Sequence, residues 1–151
     1  IHGMSQRGGS VFSHVRFGDK VYSPVIKKGE AHVLLSLEVI ETTRWLEYVN
    51  KDTFLIQSNN QIKPPIVDKY PANALDSISG AFKKNIVLEP KELNEINGNA
   101  KVLNTSLLGV MSTIIDIDYS SWREAMEMLV PKGTIQDNIR AFDNGRSITK
   151  A

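Results

Sequence analysis

Apolar positions along the chain follow two periods, one of two residues and one near 3.6, and the switches between them predict an α/β layer fold. Val11-Phe12-Ser13-His14-Val15-Arg16-Phe17 is rich in β-branched and aromatic side chains. Gly18-Asp19 follows, then a second run, Lys20-Val21-Tyr22-Ser23. Glycine permits the positive φ of a tight turn, so two strands joined as a β-hairpin are predicted here. His32-Val33-Leu34-Leu35-Ser36-Leu37 is a largely continuous apolar run, the pattern of a parallel strand buried on both faces. A helix is predicted over residues 38–50, with Val39, Thr42, Trp45, Leu46 and Val49 on one face and Glu41, Arg44 and Glu47 pointing away. Thr53-Phe54-Leu55-Ile56-Gln57 is the next strand, completing a βαβ unit.

Residues 58–71 break the pattern with Asn59-Asn60, Pro64-Pro65 and Pro71, and read as a loop. A helix over residues 73–83 and a strand over 86–89 form another unit. Pro90 then suits the first turn of a short helix that stops near Gly98. The last third is helical. Leu103, Leu107, Val110, Met111 and Ile114 keep the 3.6 period, Leu108 and Ile115 widen the apolar surface, and Thr105, Gly109 and Ser112 leave room for a close neighbour. Ser121 and Glu124 have capping-box spacing, and Trp122, Ala125, Met126, Leu129 and Val130 form the apolar face of the helix they open. Pro131 and Gly133 end it. Thr134 with Asp137 starts the final helix, and Gly145 closes it. The fold class is therefore α/β: a Rossmann-like layered fold with a mostly parallel sheet, one β-hairpin and a helical C-terminal part, in a single domain over residues 1–151.

Composition narrows the function. The chain has 151 residues, 41% apolar and 23% charged, enough for one domain with a real core. Eighteen basic and 17 acidic residues leave a net charge of +1, which gives no electrostatic case for nucleic acid or an anionic membrane surface. The apolar runs are too short to span a bilayer. There is no cysteine, so the chain cannot supply thiolates to an iron–sulfur cluster, form a zinc ribbon or offer a thiol nucleophile. His2, His14 and His32 are the only histidines and lie far apart, so no metal site is predicted. Any redox centre must sit on another chain. Ile1-His2-Gly3 lacks an initiator methionine, a charged n-region and an apolar h-region, so it is not a signal peptide.

The informative segment is Gly3-Met4-Ser5-Gln6-Arg7-Gly8-Gly9-Ser10. Three glycines, two hydroxyls, an amide and a guanidinium ahead of a strand suit a backbone nest for a phosphate, pyrophosphate or carboxylate. A glycine-rich turn with a solvated arginine is the plainer alternative. The G-x-G-x-x-G fingerprint between strand and helix is absent. Other conspicuous residues have structural readings. His14 shares a strand face with Phe12 and Arg16 and reads as a hydrogen-bonded structural histidine. His32 precedes a strand and reads as an edge residue. Asp116 and Asp118 read as a solvated turn, and Trp45 and Trp122 as core or interface anchors.

The opening motif, Gly3 to Val11 with His2 before it, followed by His14-Val15-Arg16 and Tyr22-Ser23-Pro24, resembles the second half of the small (beta) subunit domain of indolepyruvate:ferredoxin oxidoreductase, within the pyruvate/2-oxoacid:ferredoxin oxidoreductase gamma-domain family. The resemblance continues from Ala31 to Glu38, where the family has an apolar strand ending in a leucine and a glutamate. It returns at Asn104-Thr105-Ser106-Leu107-Leu108-Gly109 and over residues 138–146. Pyruvate-type relatives carry a similar arginine and glycine pair in a different surround.

The resemblance implies a subunit of an enzyme that converts a 2-oxo acid and coenzyme A to acyl-CoA and carbon dioxide and passes electrons to ferredoxin. It implies a cytoplasmic hetero-oligomer in which a large partner subunit carries the thiamine diphosphate and iron–sulfur clusters, with no cofactor, catalytic residue or metal on this chain. The family domain opens with a βαβ unit that this chain lacks, so a separate piece of chain or a neighbour is expected beside residues 33–37. The loop Gly3, Met4, Ser5, Gln6, Arg7, Gly8 and Gly9 is expected near substrate or coenzyme at the subunit interface, and Asn104 is a possible subunit contact. Alternatives are a pyruvate-type or other 2-oxoacid gamma subunit, a free-standing anion- or nucleotide-binding module, and a scaffold without ligand.

Overall fold

The computed structural model describes residues 11–63 and 68–149. Three strands, β1 (Val33–Ser36), β2 (Phe54–Ser58) and β3 (Lys84–Leu88), form a parallel sheet in that order. Val33 lies opposite Phe54, and Phe54 opposite Lys84, so the strands start level. Six helices accompany them: α1 (Val39–Arg44), α2 (Ala74–Gly80), α3 (Pro90–Asn97), α4 (Leu103–Met111), α5 (Tyr119–Leu129) and α6 (Ile135–Ile148). The α/β class, the parallel sheet and the helical C-terminal part are as the sequence predicts.

The layers follow from the alternation of the central strand. Leu55 and Val39 pack with Ile78 on the side of α1 and α2. Ile56 packs with Leu88, Leu93, Leu107 and Val110 on the side of α3 and α4. A third cluster, Met126, Ile139 and Phe142, joins α5 to α6 and takes Trp122 against the Phe142 ring. Leu55 and Ile56 are fully buried, as a strand paired on both sides requires. β1 differs. Val33, Leu34 and Leu35 are half-buried and Leu37 is 48% exposed, because β1 has a partner on one side only. Among the described residues no strand lies beside β1 on its other side.

The last third is held by direct backbone approach. A Cβ on Gly109 of α4 would overlap the Phe142 carbonyl oxygen, and one on Gly145 of α6 would overlap that of Ser106. The two glycines let the helices touch backbone to backbone, as the small residues of α4 predicted. Polar pairs cross the same contact: Thr105 donates to Asn138 at 2.6 Å and Arg146 donates to Ser112 Oγ at 2.6 Å. Gly145 is thus an interior contact residue and does not close the helix, which runs on to Ile148.

Other boundaries also move. The helix expected over residues 38–50 stops at Arg44, and a 3-10 turn follows over Leu46–Tyr48. Thr43 donates its hydroxyl to the Ile40 carbonyl at 2.6 Å, and such side-chain competition with β-branching weakens a helix. α5 begins at Tyr119 behind Asp118, so Ser121 lies inside the first turn and makes no capping box. The predicted hairpin does not form. Residues 11–26 make no strand ladder among the described residues, and an isolated bridge at Ser13 is the one pairing there. A two-stranded ribbon gains little by itself. The segment is fixed instead by Phe12, which stacks at 4.3 Å on Trp45, and by His14 against Tyr48 at 5.1 Å.

Candidate functional site

Ligands of open parallel α/β sheets bind in the crevice beyond the carboxyl ends of the strands. In this chain that edge comprises Ser36 to Glu38 after β1, Ser58 to Asn60 after β2 and Glu89 after β3. Glu38 is its centre. It sits at the N-cap of α1 in extended conformation and is only 7% exposed. Its carboxylate accepts from the Glu41 N–H at 2.8 Å, the Ile62 N–H at 3.2 Å and the Tyr70 hydroxyl at 2.6 Å. Its carbonyl accepts from the Ser36 hydroxyl at 2.8 Å. A negative charge is favoured at a helix N-terminus, and three donors satisfy it after desolvation.

Tyr70 completes the arrangement by accepting from the Ile40 N–H at 3.1 Å. Burial, and then the hydrogen bond to Glu38, push its phenol well above the ordinary tyrosine range. It therefore stays a donor through all neutral conditions. One residue further, the Val39 N–H donates to the Asn60 carbonyl at 3.0 Å. Glu38 thus ties the end of β1, the start of α1 and the loop after β2 into one rigid unit. With both oxygens committed, this carboxylate is a scaffold group and not a free base.

The neighbouring groups are similarly engaged. Asn59 donates its amide to both Glu89 oxygens at 2.9 and 3.1 Å, and its own backbone N–H reaches the Leu88 carbonyl at 2.8 Å. Gln57, fully buried, accepts from Thr42 at 3.3 Å and donates to Ser79 at 3.0 Å. Ser58 Oγ, on the opposite face of β2, is buried without a protein partner. Far from this edge, a cleft of 620 Å³ is lined by Phe54, Ile86, Ile114, Asp116, Ile117 and Arg146. Its arginine is held by Ser112 and lies over the Tyr119 and Phe142 rings.

The residues singled out in the sequence are not gathered in one place. Gly3, Met4, Ser5, Gln6, Arg7, Gly8 and Gly9 lie outside the described residues. Asn104 is exposed in the first turn of α4. His14 accepts the Ile26 N–H on Nδ1 at 3.2 Å, the structural role expected of it. His32, Asp116 and Asp118 are exposed. Among the described residues no group of three His, Asp or Glu side chains could hold a metal, and without cysteine the chain has no donors for a cluster. No helix among the described residues is long and apolar enough to cross a membrane. Glu38 entered the sequence reading as the start of the predicted helix over residues 38–50 and through the resemblance. Its role at an N-cap was legible in principle, since an acidic residue closes the strand run just before the helix. Tyr70 and Asn59 carried no such signal, because each acts across a chain separation of 30 residues or more.

Comparisons agree with the motif. The family model described as pyruvate ferredoxin/flavodoxin oxidoreductase matches residues 1–148. A protein of Archaeoglobus fulgidus, called indolepyruvate oxidoreductase subunit IorB, is 39% identical over 95% of this chain and 75% of its own length. Proteins of the same name from Thermococcus kodakarensis and Pyrococcus horikoshii are 30% and 29% identical, each over 99% of this chain and 79% of their length.

Proposed function

The chain belongs to the pyruvate ferredoxin/flavodoxin oxidoreductase family, and on that premise we propose that it is the small, cofactor-free subunit of an indolepyruvate-type 2-oxoacid:ferredoxin oxidoreductase. The observation that carries this reading is the match to subunits so named along nearly the whole chain. In the reaction, the bond between the 2-oxo carbon and its carboxylate breaks and carbon dioxide leaves. A thioester forms on coenzyme A, and the electrons pass to ferredoxin. A large partner subunit holds the thiamine diphosphate and iron–sulfur clusters that this carbanion and electron chemistry needs. A cysteine-free chain is suited to the complementary part of that division.

In this reading residues 5–9 face the large subunit, and Arg7 reaches an anionic group of the substrate or coenzyme. Arginine serves better than lysine there because its planar fork binds a carboxylate or phosphate through two parallel bonds. Ferredoxin is met through the complex, and Asn104 contributes to a subunit contact. The test is a coenzyme A-dependent ferredoxin-reduction assay of the reconstituted complex with indolepyruvate and with pyruvate. Preference for indolepyruvate supports the proposal. Preference for pyruvate moves the chain to the pyruvate-type subunits of the same family.

A further inference from the structure

Residues 14–16 and 25–26 lie side by side without a strand ladder between them. Two side-chain bonds hold the pair: Arg16 donates to the Val25 carbonyl at 3.0 Å, and the Ile26 N–H donates to His14 Nδ1 at 3.2 Å. The same imidazole packs on the body of the chain, 5.1 Å from the Tyr48 ring and nearly perpendicular to it, and 6.4 Å from that of Trp45. A backbone N–H usually meets a carbonyl oxygen, which accepts at any pH. An imidazole nitrogen accepts only while it carries no proton. The bond to Ile26 therefore requires the neutral ring with its proton on Nε2. Among the described residues the Ile26 N–H has no second acceptor.

We propose that His14 is a pH-operated clasp between residues 14 and 26, closed while the imidazole is neutral and opened when Nδ1 takes a proton. Protonation sets an Nδ1–H against the Ile26 N–H, so two donors meet and residues 25–26 must move off the ring. The closed clasp holds the neutral form alone. Closure is therefore complete on the alkaline side and is lost as pH falls through the range where imidazole changes charge, about pH 8 to 5. The charged and titratable groups around the ring are Arg16 on its own segment, Lys27, Lys28 and Glu30 after Ile26, Glu47 and Tyr48 on the 3-10 turn, and Glu41 and Arg44 on α1. Lys28 is paired with Glu47 at 2.6 Å and Arg44 with Glu41 at 3.0 Å. None of them accepts from Ile26, so none takes over when the ring gives up that bond. Aromatic neighbours tolerate a cation, so the ring keeps its place against Trp45 and Tyr48, and the opening is confined to the returning segment. The clasp goes beyond the subunit reading and is independent of it.

The test is a magnetic resonance titration of the full, isotope-labelled chain. Ring-nitrogen shifts give the tautomer of His14. Amide-exchange protection, taken relative to an unstructured chain at the same pH, reads the Ile26 bond. From about pH 8 to pH 5, protonation of Nδ1 should coincide with a loss of about tenfold in the protection of Ile26, the scale of one hydrogen bond. The Gly29 and Ala31 N–H groups, which donate to the Glu47 and Tyr48 carbonyls, should keep theirs. His14→Asn places an amide oxygen that does not titrate where Nδ1 stood, and should hold Ile26 protected at both ends of the range. His14→Phe keeps a ring with no acceptor, and should leave Ile26 at the lowered protection throughout. An Nδ1 already protonated at the alkaline end would overturn the proposal. So would an Ile26 amide equally protected at both ends, or one whose acid step survives in His14→Asn and His14→Phe.

Discussion

Replacing Gly145 by alanine should destabilise the chain although it adds a good helix former to a helix. At an open helical position the change would be worth about 1 kcal/mol in favour of alanine. Gly145 is buried against α4, and an added Cβ would meet the Ser106 carbonyl oxygen, with the carbonyl carbon at 2.8 Å and the Cα at 3.1 Å. All three are backbone atoms and none can rotate away, so α4 and α6 must separate. Overpacking of this kind costs up to about 3 kcal/mol, which leaves a net loss of about 2 kcal/mol once the propensity gain is subtracted. For a domain of this size that lowers the melting temperature by about 4–8 °C. Gly109→Ala should behave alike, since its Cβ would meet the Phe142 carbonyl across the same contact. The double variant should lose less than the two singles together, because a helix pair already parted accepts the second methyl more easily. Gly80→Ala, at a position with nothing within 4 Å, is the control and should melt no lower than the unaltered chain. Thermal unfolding followed by circular dichroism reads all four. A Gly145→Ala chain that melts at or above the unaltered one would refute the backbone contact.

Three other variants and one kinetic test probe the remaining claims. Glu38→Ala leaves the Glu41 and Ile62 N–H groups and the Tyr70 hydroxyl without their acceptor. It should cost about 2–3 kcal/mol in urea unfolding, and an unchanged midpoint would count against the scaffold role. Tyr70 holds its proton more tightly folded than unfolded, so the unfolded chain deprotonates first as pH rises past the ordinary tyrosine value. That interaction is therefore fully present below about pH 10 and declines above it. Tyr70→Phe should flatten that alkaline decline, which a pH series of denaturation midpoints would reveal. Asn97, buried, donates to Ser106 at 3.0 Å and accepts from Asn144 at 2.8 Å. Asn97→Ala should lower stability by about 2 kcal/mol and speed amide exchange in α3 and α6 together; exchange confined to α3 would show the two helices uncoupled. In the reconstituted enzyme, Arg7→Ala should reduce turnover with the melting temperature unchanged, and unaltered kinetics would remove Arg7 from the anion contact.

What could be read from the sequence was whatever local periodicity controls. The order of strands and helices, the parallel sheet and the small-residue face of α4 all came from spacing, because burial on a strand or helix repeats at fixed intervals. The hairpin over residues 11–23 failed for an instructive reason. Its β-branched and aromatic composition marks an extended segment but not a partner strand, and Phe12 and His14 pack on Trp45 and Tyr48 instead. Gly145 was misread because a glycine near a helix end carries the same letter whether it terminates the helix or admits a neighbour, and the neighbour is α4, more than 30 residues earlier. For the candidate site, the apolar run ending in Leu37 and Glu38 marked the place, while the hydroxyl and amides that engage Glu38 come in part from a loop with no period. The family was legible through Gly3 to Gly9 and Arg7, residues whose type and order carry chemical meaning apart from any periodicity.

The central claim is that this chain completes an enzyme whose redox centre lies on another subunit. The most direct measurement is a titration of the purified large subunit with this chain, following ferredoxin reduction driven by indolepyruvate and coenzyme A. The account predicts a rate that rises from a low baseline and saturates at a fixed subunit ratio. A large subunit that works at full rate alone, indifferent to the added chain, would contradict it.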